Sequence, residues 1–170
     1  MMTLNVVNVV SKNAVLLGDN GLLSAEVQRL NFDRLKHKMT QPVESEMSEE
    51  AWDLGEKEYR RFLTLKQLYP AVSLVPSKQV DTIWHAHILD TRAYRDDCNA
   101  VFGSFIDHYP YFGIYGDDDA RNLDAAFNET VALYESHFGA YPAEKNPMRC
   151  GDHACHVPSS CACRVPSACK

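Results

Sequence analysis

The sequence predicts an all-α domain of four to five helices, with an irregular segment before it and a cysteine-rich tail after it. Three observations lead there. Apolar residues recur at steps of three and four in several separate windows. A Ser or Asp stands where these windows begin, and a Pro or Gly stands where they end. The 170 residues are 45% hydrophobic and 24% charged, which is ordinary for one globular domain.

Residues 1–23 alternate only weakly and carry strong turn chemistry at Asp19-Asn20-Gly21, so short extended or irregular structure is expected. Ser24 is an N-cap candidate. Val27, Leu30, Phe32, Leu35 and Met39 follow it, so the spacing predicts a helix over 25–39, closed by Thr40-Gln41-Pro42. Ser48 caps the next helix, with Glu49 and Glu50 in the first turn where the helix dipole favours negative charge. Its apolar stripe is Trp52, Tyr59, Phe62, Leu63, Leu65 and Leu68, and Pro70 ends it. Gly55 is a weak point inside it, costing about 1 kcal/mol relative to Ala. Pro76-Ser77 opens a helix over about 77–88. Asp90 or Thr91 recaps a further piece through Phe102, which Gly103 stops. A loop rich in aromatic and turn residues follows. Asp117 to Asp119 start the last helix, whose apolar side is Leu123, Phe127, Val131, Tyr134 and Phe138. Gly139 and Pro142 close it.

Beyond Pro142 the helical periodicity stops. We therefore divide the chain into a helical domain, 1–142, and a Cys/His-rich tail or small metal-binding module, 143–170. The tail is net +2 against −8 for the rest, within a total of −6. So acidic a domain lacks the basic face that tracks phosphates, and no nucleic-acid partner is expected. No run approaches the ~18–20 apolar residues that span a bilayer, so no membrane partner is expected either. The first residues lack a basic region and a cleavage site, so a cytoplasmic protein with reduced thiols is expected. No phosphate-binding glycine loop, nucleophile elbow or dinucleotide fingerprint is present.

The chemistry concentrates in "DTIWHAHILDTRAYRDDC", residues 81–98. On a helix, Asp81 and His85 lie over one another, four residues apart. The carboxylate can then support one imidazole nitrogen and leave the other free as a ligand. His85 and His87 are two apart, roughly 200° around an ideal helix. They can share one ion only if the helix breaks near Asp90 or if they flank a cleft. His87, Thr91, Tyr94 and Cys98 fall on one stripe, and His108 follows in the aromatic loop. The candidate metal ligands are thus His85, His87 and His108, with Asp81 behind them. Tyr94 and Asp97 are candidates for proton handling. Cys98 by itself reads as a small buried apolar residue.

The pattern Asp81, Trp84-His85-x-His87, Asp90-Thr91, Tyr94, Asp97-Cys98, Phe102-Gly103 and His108 resembles the glycine-rich domain-containing protein-like family. The helix "EYRRFLTLKQLYP" before it (58–70) is similar too, and the likeness extends over about residues 25–140. It implies a helical domain whose signature holds His85, His87 and His108, without an established reaction. Plant members attach this region to other domains, one of them glycine-rich. This chain has eight Gly and no such segment.

The tail carries five of the six cysteines, Cys150, Cys155, Cys161, Cys163 and Cys169, with His153 and His156. Thiolate and imidazole suit zinc and Cu(I), although paired C-x2-C knuckles are missing. The expected function is metal binding, zinc foremost with copper or iron as alternatives, with enzymatic status open. Two alternatives stand beside it. One is a non-enzymatic interaction module with structural histidines and a partner surface on the aromatic loop 105–115. The other is a thiol redox protein, or a peptide-precursor-like chain with a modified Cys-rich tail.

Overall fold

The computed structural model describes residues 23–41 and 47–142. Among the described residues it is all-α, with six helices: α1 (Ala25–Gln28), α2 (Asp33–Thr40), α3 (Glu49–Leu68), α4 (Lys78–Leu89), α5 (Thr91–Phe102) and α6 (Asp117–Phe138). Ser24, Ser48 and Ser77 accept backbone N–H bonds from Val27, Ala51 and Val80 as N-caps of α1, α3 and α4. Asp90 caps α5 through Ala93 N–H, and Gly103 closes it in the left-handed region at φ 70°.

One expected helix, 25–39, is two. The chain turns at residues 29–32, where the Asn31 side chain accepts from the Asp33 N–H at 2.9 Å. Asn competes with the helical ladder in this way. With the chain turned there, both Leu30 and Phe32 are buried in the core. A four-residue helix is too short to stand alone. Arg60 of α3 holds it, donating to the Val27 and Leu30 carbonyls at 2.7 and 3.0 Å while Glu56 accepts from the same guanidinium. Leu68, expected in the α3 stripe, is half exposed.

α3 is the central helix and packs against α1, α2, α4 and α6. Gly55 is where α4 comes closest. A Cβ there would lie 2.6 Å from Ile83 Cδ1, and Ile83 is fully buried. Gly55 therefore costs helix propensity and makes the α3–α4 approach available. Gly55→Val should lower stability by about 1–3 kcal/mol through overpacking. Thermal melting checks this, and a variant as stable as the parent would contradict the close approach.

The core contains four tyrosines, Tyr59, Tyr94, Tyr134 and Tyr141. Burial holds all four phenols above their ordinary range, that of Tyr141 to about 12. The unfolded chain ionises its tyrosines near pH 10. Their contribution to stability is complete below pH 10 and is lost as pH rises toward 12. Base unfolding should therefore coincide with a cooperative appearance of tyrosinate absorbance. Smooth ionisation of all eight tyrosines near pH 10 with the fold intact would contradict this.

Candidate functional site

α4 presents Asp81 and His85 one turn apart on one face. The loop after α5 brings His108 to them. His108 Nε2 lies 3.0 Å from Asp81 Oδ1 and 3.1 Å from His85 Nε2. His85 Nε2 lies 3.7 Å from the same Asp81 oxygen. Among the described residues, Asp81, His85 and His108 form a cluster able to hold a metal ion, with all three ligand atoms within 4.8 Å of one another.

A neutral imidazole nitrogen carries either one proton or one lone pair. If His108 Nε2 carries a proton, it can be shared between Asp81 and His85. The His85 lone pair then accepts from that N–H. A cation in the middle satisfies all three atoms. Zinc–nitrogen and zinc–oxygen distances of about 2.0–2.1 Å place tetrahedral ligands about 3.3 Å apart. The observed edges of 3.0, 3.1 and 3.7 Å bracket that value. Burial lowers the His85 pKa, outweighing the opposite pull of Asp81, and so favours the neutral ring that binds metal. Asp81 was expected behind the ligands. Its Oδ1 stands within ligand distance of the two Nε2 atoms, so the cluster could take it as a third donor.

The support for His108 comes from Trp84. Its indole meets the His108 ring in a T-shaped contact, 4.6 Å between centroids. The Trp84 Nε1–H donates to Tyr94 Oη at 3.0 Å, and the Tyr94 hydroxyl donates to the Ile106 carbonyl at 2.6 Å. This relay ties the loop to α4 and α5 two residues before His108. Tyr94, a proton-handling candidate, is thus a buried tether.

The structure does not bring His87 into the cluster. It leaves α4 on the far side from His85, as helix geometry requires. Its Nε2 lies 3.1 Å from Asp97 Oδ2 and its Nδ1 lies 2.9 Å from the Tyr59 hydroxyl. With Asp97 ionised, the ring donates from Nε2 and accepts the Tyr59 proton at Nδ1. Both rings of that pair are buried, with Phe32 against His87. Asp97, the other proton-handling candidate, belongs to this second network. Cys98 is buried and its thiol is pushed up by burial, so it is a poor nucleophile. The candidates Cys150, His153, Cys155, His156, Cys161, Cys163 and Cys169 lie outside the described residues.

A cavity of about 220 Å³ adjoins the cluster, with Asp81, His108 and Trp84 in its wall. Lys66 of α3 also lines it. Nothing in the sequence singles out Lys66, because a Lys in the last turn of a helix is what the dipole favours anyway. Tyr59 was likewise read only as core. Its hydrogen bond to His87 depends on how α3 meets α4.

Residues 24–128 match the model of the UCP032817-like family. The glycine-rich domain-containing protein 1 of Arabidopsis thaliana is 34% identical over 85 residues, 48% of this chain and 10% of that protein. The chain thus aligns with only about a tenth of that relative's length. No solved structure matches.

Proposed function

The chain belongs to the UCP032817-like family, and within that family's matched region we propose that Asp81, His85 and His108 bind a divalent transition metal, zinc foremost, with copper or iron as alternatives. The observation that carries this reading is the triangle of two imidazole nitrogens and one carboxylate oxygen, spaced as a cation's ligands are. All three residues lie inside the matched segment. Two histidines and a carboxylate form a ligand set that leaves a fourth tetrahedral position open, as in catalytic zinc sites. A bound ion there would act as a Lewis acid or lower the pKa of a water. Asp81 is 3% exposed and would neutralise part of the ion's charge, while His85 faces the surface. We place the protein in a reducing cytoplasm, where the tail thiols would stay available for a separate ion.

Elemental analysis of full-length protein purified without a histidine tag tests the reading. One equivalent of metal beyond any ion on the tail, retained by His87→Gln and lost in Asp81→Ala, supports it. Metal content indifferent to Asp81 and His85 rejects it.

A second reading has an observation of its own. Phe105, Tyr109, Tyr111 and Tyr115 are exposed along the loop that carries His108, and exposed aromatics are common anchors of interfaces. Under that reading the histidines are structural and the loop binds a protein or peptide. Tyr109→Ala then removes partner capture while the metal content stays unchanged.

A further inference from the structure

The cavity beside the triad has a chemistry that the metal reading does not use. Its volume of about 220 Å³ falls below the roughly 300 Å³ at which pockets for drug-sized ligands begin. It therefore suits a small molecule. Asp81 and His108 form one part of its wall, so its interior reaches the ligand cluster. Leu74, Val75, Phe112 and Leu123 make much of the rest apolar.

Lys66 supplies the lysine of this lining. Its Nζ sits 5.5 Å from the Trp84 ring, which in turn meets the His108 ring in a T-shaped contact. The ammonium and the ligand cluster thus flank one indole. Among the described residues no carboxylate pairs with Lys66, whose ammonium lies over the Phe62 and Trp84 rings. Burial lowers its pKa. An ammonium on a largely apolar wall is costly until an anion meets it. A dication on the triad would outweigh the Asp81 charge and make that end of the cavity net positive as well. Asp107, also in the lining, removes one unit, which leaves a balance suited to a monoanion.

We propose that this cavity binds a small carboxylic acid. Its carboxylate pairs with Lys66, its aliphatic body lies on Trp84, Leu74, Val75, Phe112 and Leu123, and its far end faces the metal cluster. The apolar wall selects such a body over a bare inorganic anion, because burying phosphate there would strand its remaining oxygens. The proposal rests on the metal reading for the orientation of the ligand, while the contact to Lys66 is its own.

Isothermal titration of isovalerate into zinc-loaded full-length protein is the test, with isovaleramide and inorganic phosphate as comparisons. Isovalerate should bind in the millimolar range or tighter, and the uncharged amide about tenfold more weakly, since a charge-assisted hydrogen bond contributes at least that factor. Lys66→Gln should lose about tenfold, and Lys66→Arg should restore binding because it keeps the charge. Zinc content, measured on the same samples, should not change in either variant. Equal binding of acid and amide, phosphate binding in place of isovalerate, or indifference to Lys66→Gln overturns the proposal. So does the absence of isovalerate binding at about 20 mM in protein that carries its zinc, a result that leaves the metal reading standing. Lys66-dependent binding of isovalerate in protein that takes up no zinc at the triad rejects the metal reading and supports the Lys66 contact.

Discussion

Replacing His108 with Ala should take the metal bound at the triad from one equivalent to none. Only Asp81 and His85 of the cluster would remain, and a two-ligand site holds zinc far too weakly to survive purification. The loss should also appear in stability. A ligand that binds only the folded chain, present at a hundred times its Kd, adds ~2.7 kcal/mol. For a chain of this size that is roughly 5–10 °C in Tm. Zinc should therefore raise the Tm of the parent by about that amount and leave His108→Ala unmoved. His87→Gln gives the opposite result. It breaks the hydrogen bonds to Tyr59 and Asp97 and lowers the baseline Tm, but it keeps the zinc-dependent rise. A zinc response that survives His108→Ala would place the ion elsewhere.

Trp84→Ala should be among the most damaging single changes in the domain, at about 3–5 kcal/mol. The indole is buried, packs on Phe62 and His108, and donates to Tyr94. Its removal opens a large void between α3, α4 and the loop and frees the relay to Ile106. Chemical denaturation measures the cost. Where the variant remains folded in mild conditions, zinc affinity should fall by at least tenfold, because a residue that only orients a ligand typically carries a factor of 10–100. Trp84→Phe keeps most of the packing and loses the N–H donor, so it should fall between the two. Parent-like zinc affinity in a folded Trp84→Ala protein would mean that the loop holds His108 without this contact.

Much of the fold could be read from single residues. Ser48 and Ser77 are N-caps, Asp90 restarts a helix, and Gly103 stops one, because the cap chemistry is local and the competing conformations are few. The break at Asn31 was also written in the chain. An Asn side chain competes with the helical ladder, and Asn31 accepts from the Asp33 N–H. Residues two apart on a helix stand about 200° apart, which separates His85 from His87, and the structure keeps them on different networks.

Other features depend on distance in space and leave no local mark. His108 was a plausible third ligand by its position in a loop beside a helix end. That its Nε2 meets Asp81 Oδ1 and His85 Nε2 follows from the Trp84–Tyr94–Ile106 relay. Asp81 read as a supporting carboxylate because i,i+4 spacing shows which face it shares and not how deep its oxygen sits. Nothing local marks Lys66, whose place beside Trp84 follows from how α3 and α4 pack. Gly55 looked like a defect until Ile83 was seen against it.

The central claim is that Asp81, His85 and His108 hold one ion between them. Anomalous diffraction at the zinc edge, from crystals of full-length protein grown with zinc, tests it most directly. The account predicts a peak about 2.0–2.2 Å from Asp81 Oδ1, His85 Nε2 and His108 Nε2, with His87 outside the coordination sphere. Zinc-containing crystals with no peak inside that triangle, or with a peak on His87, would contradict it.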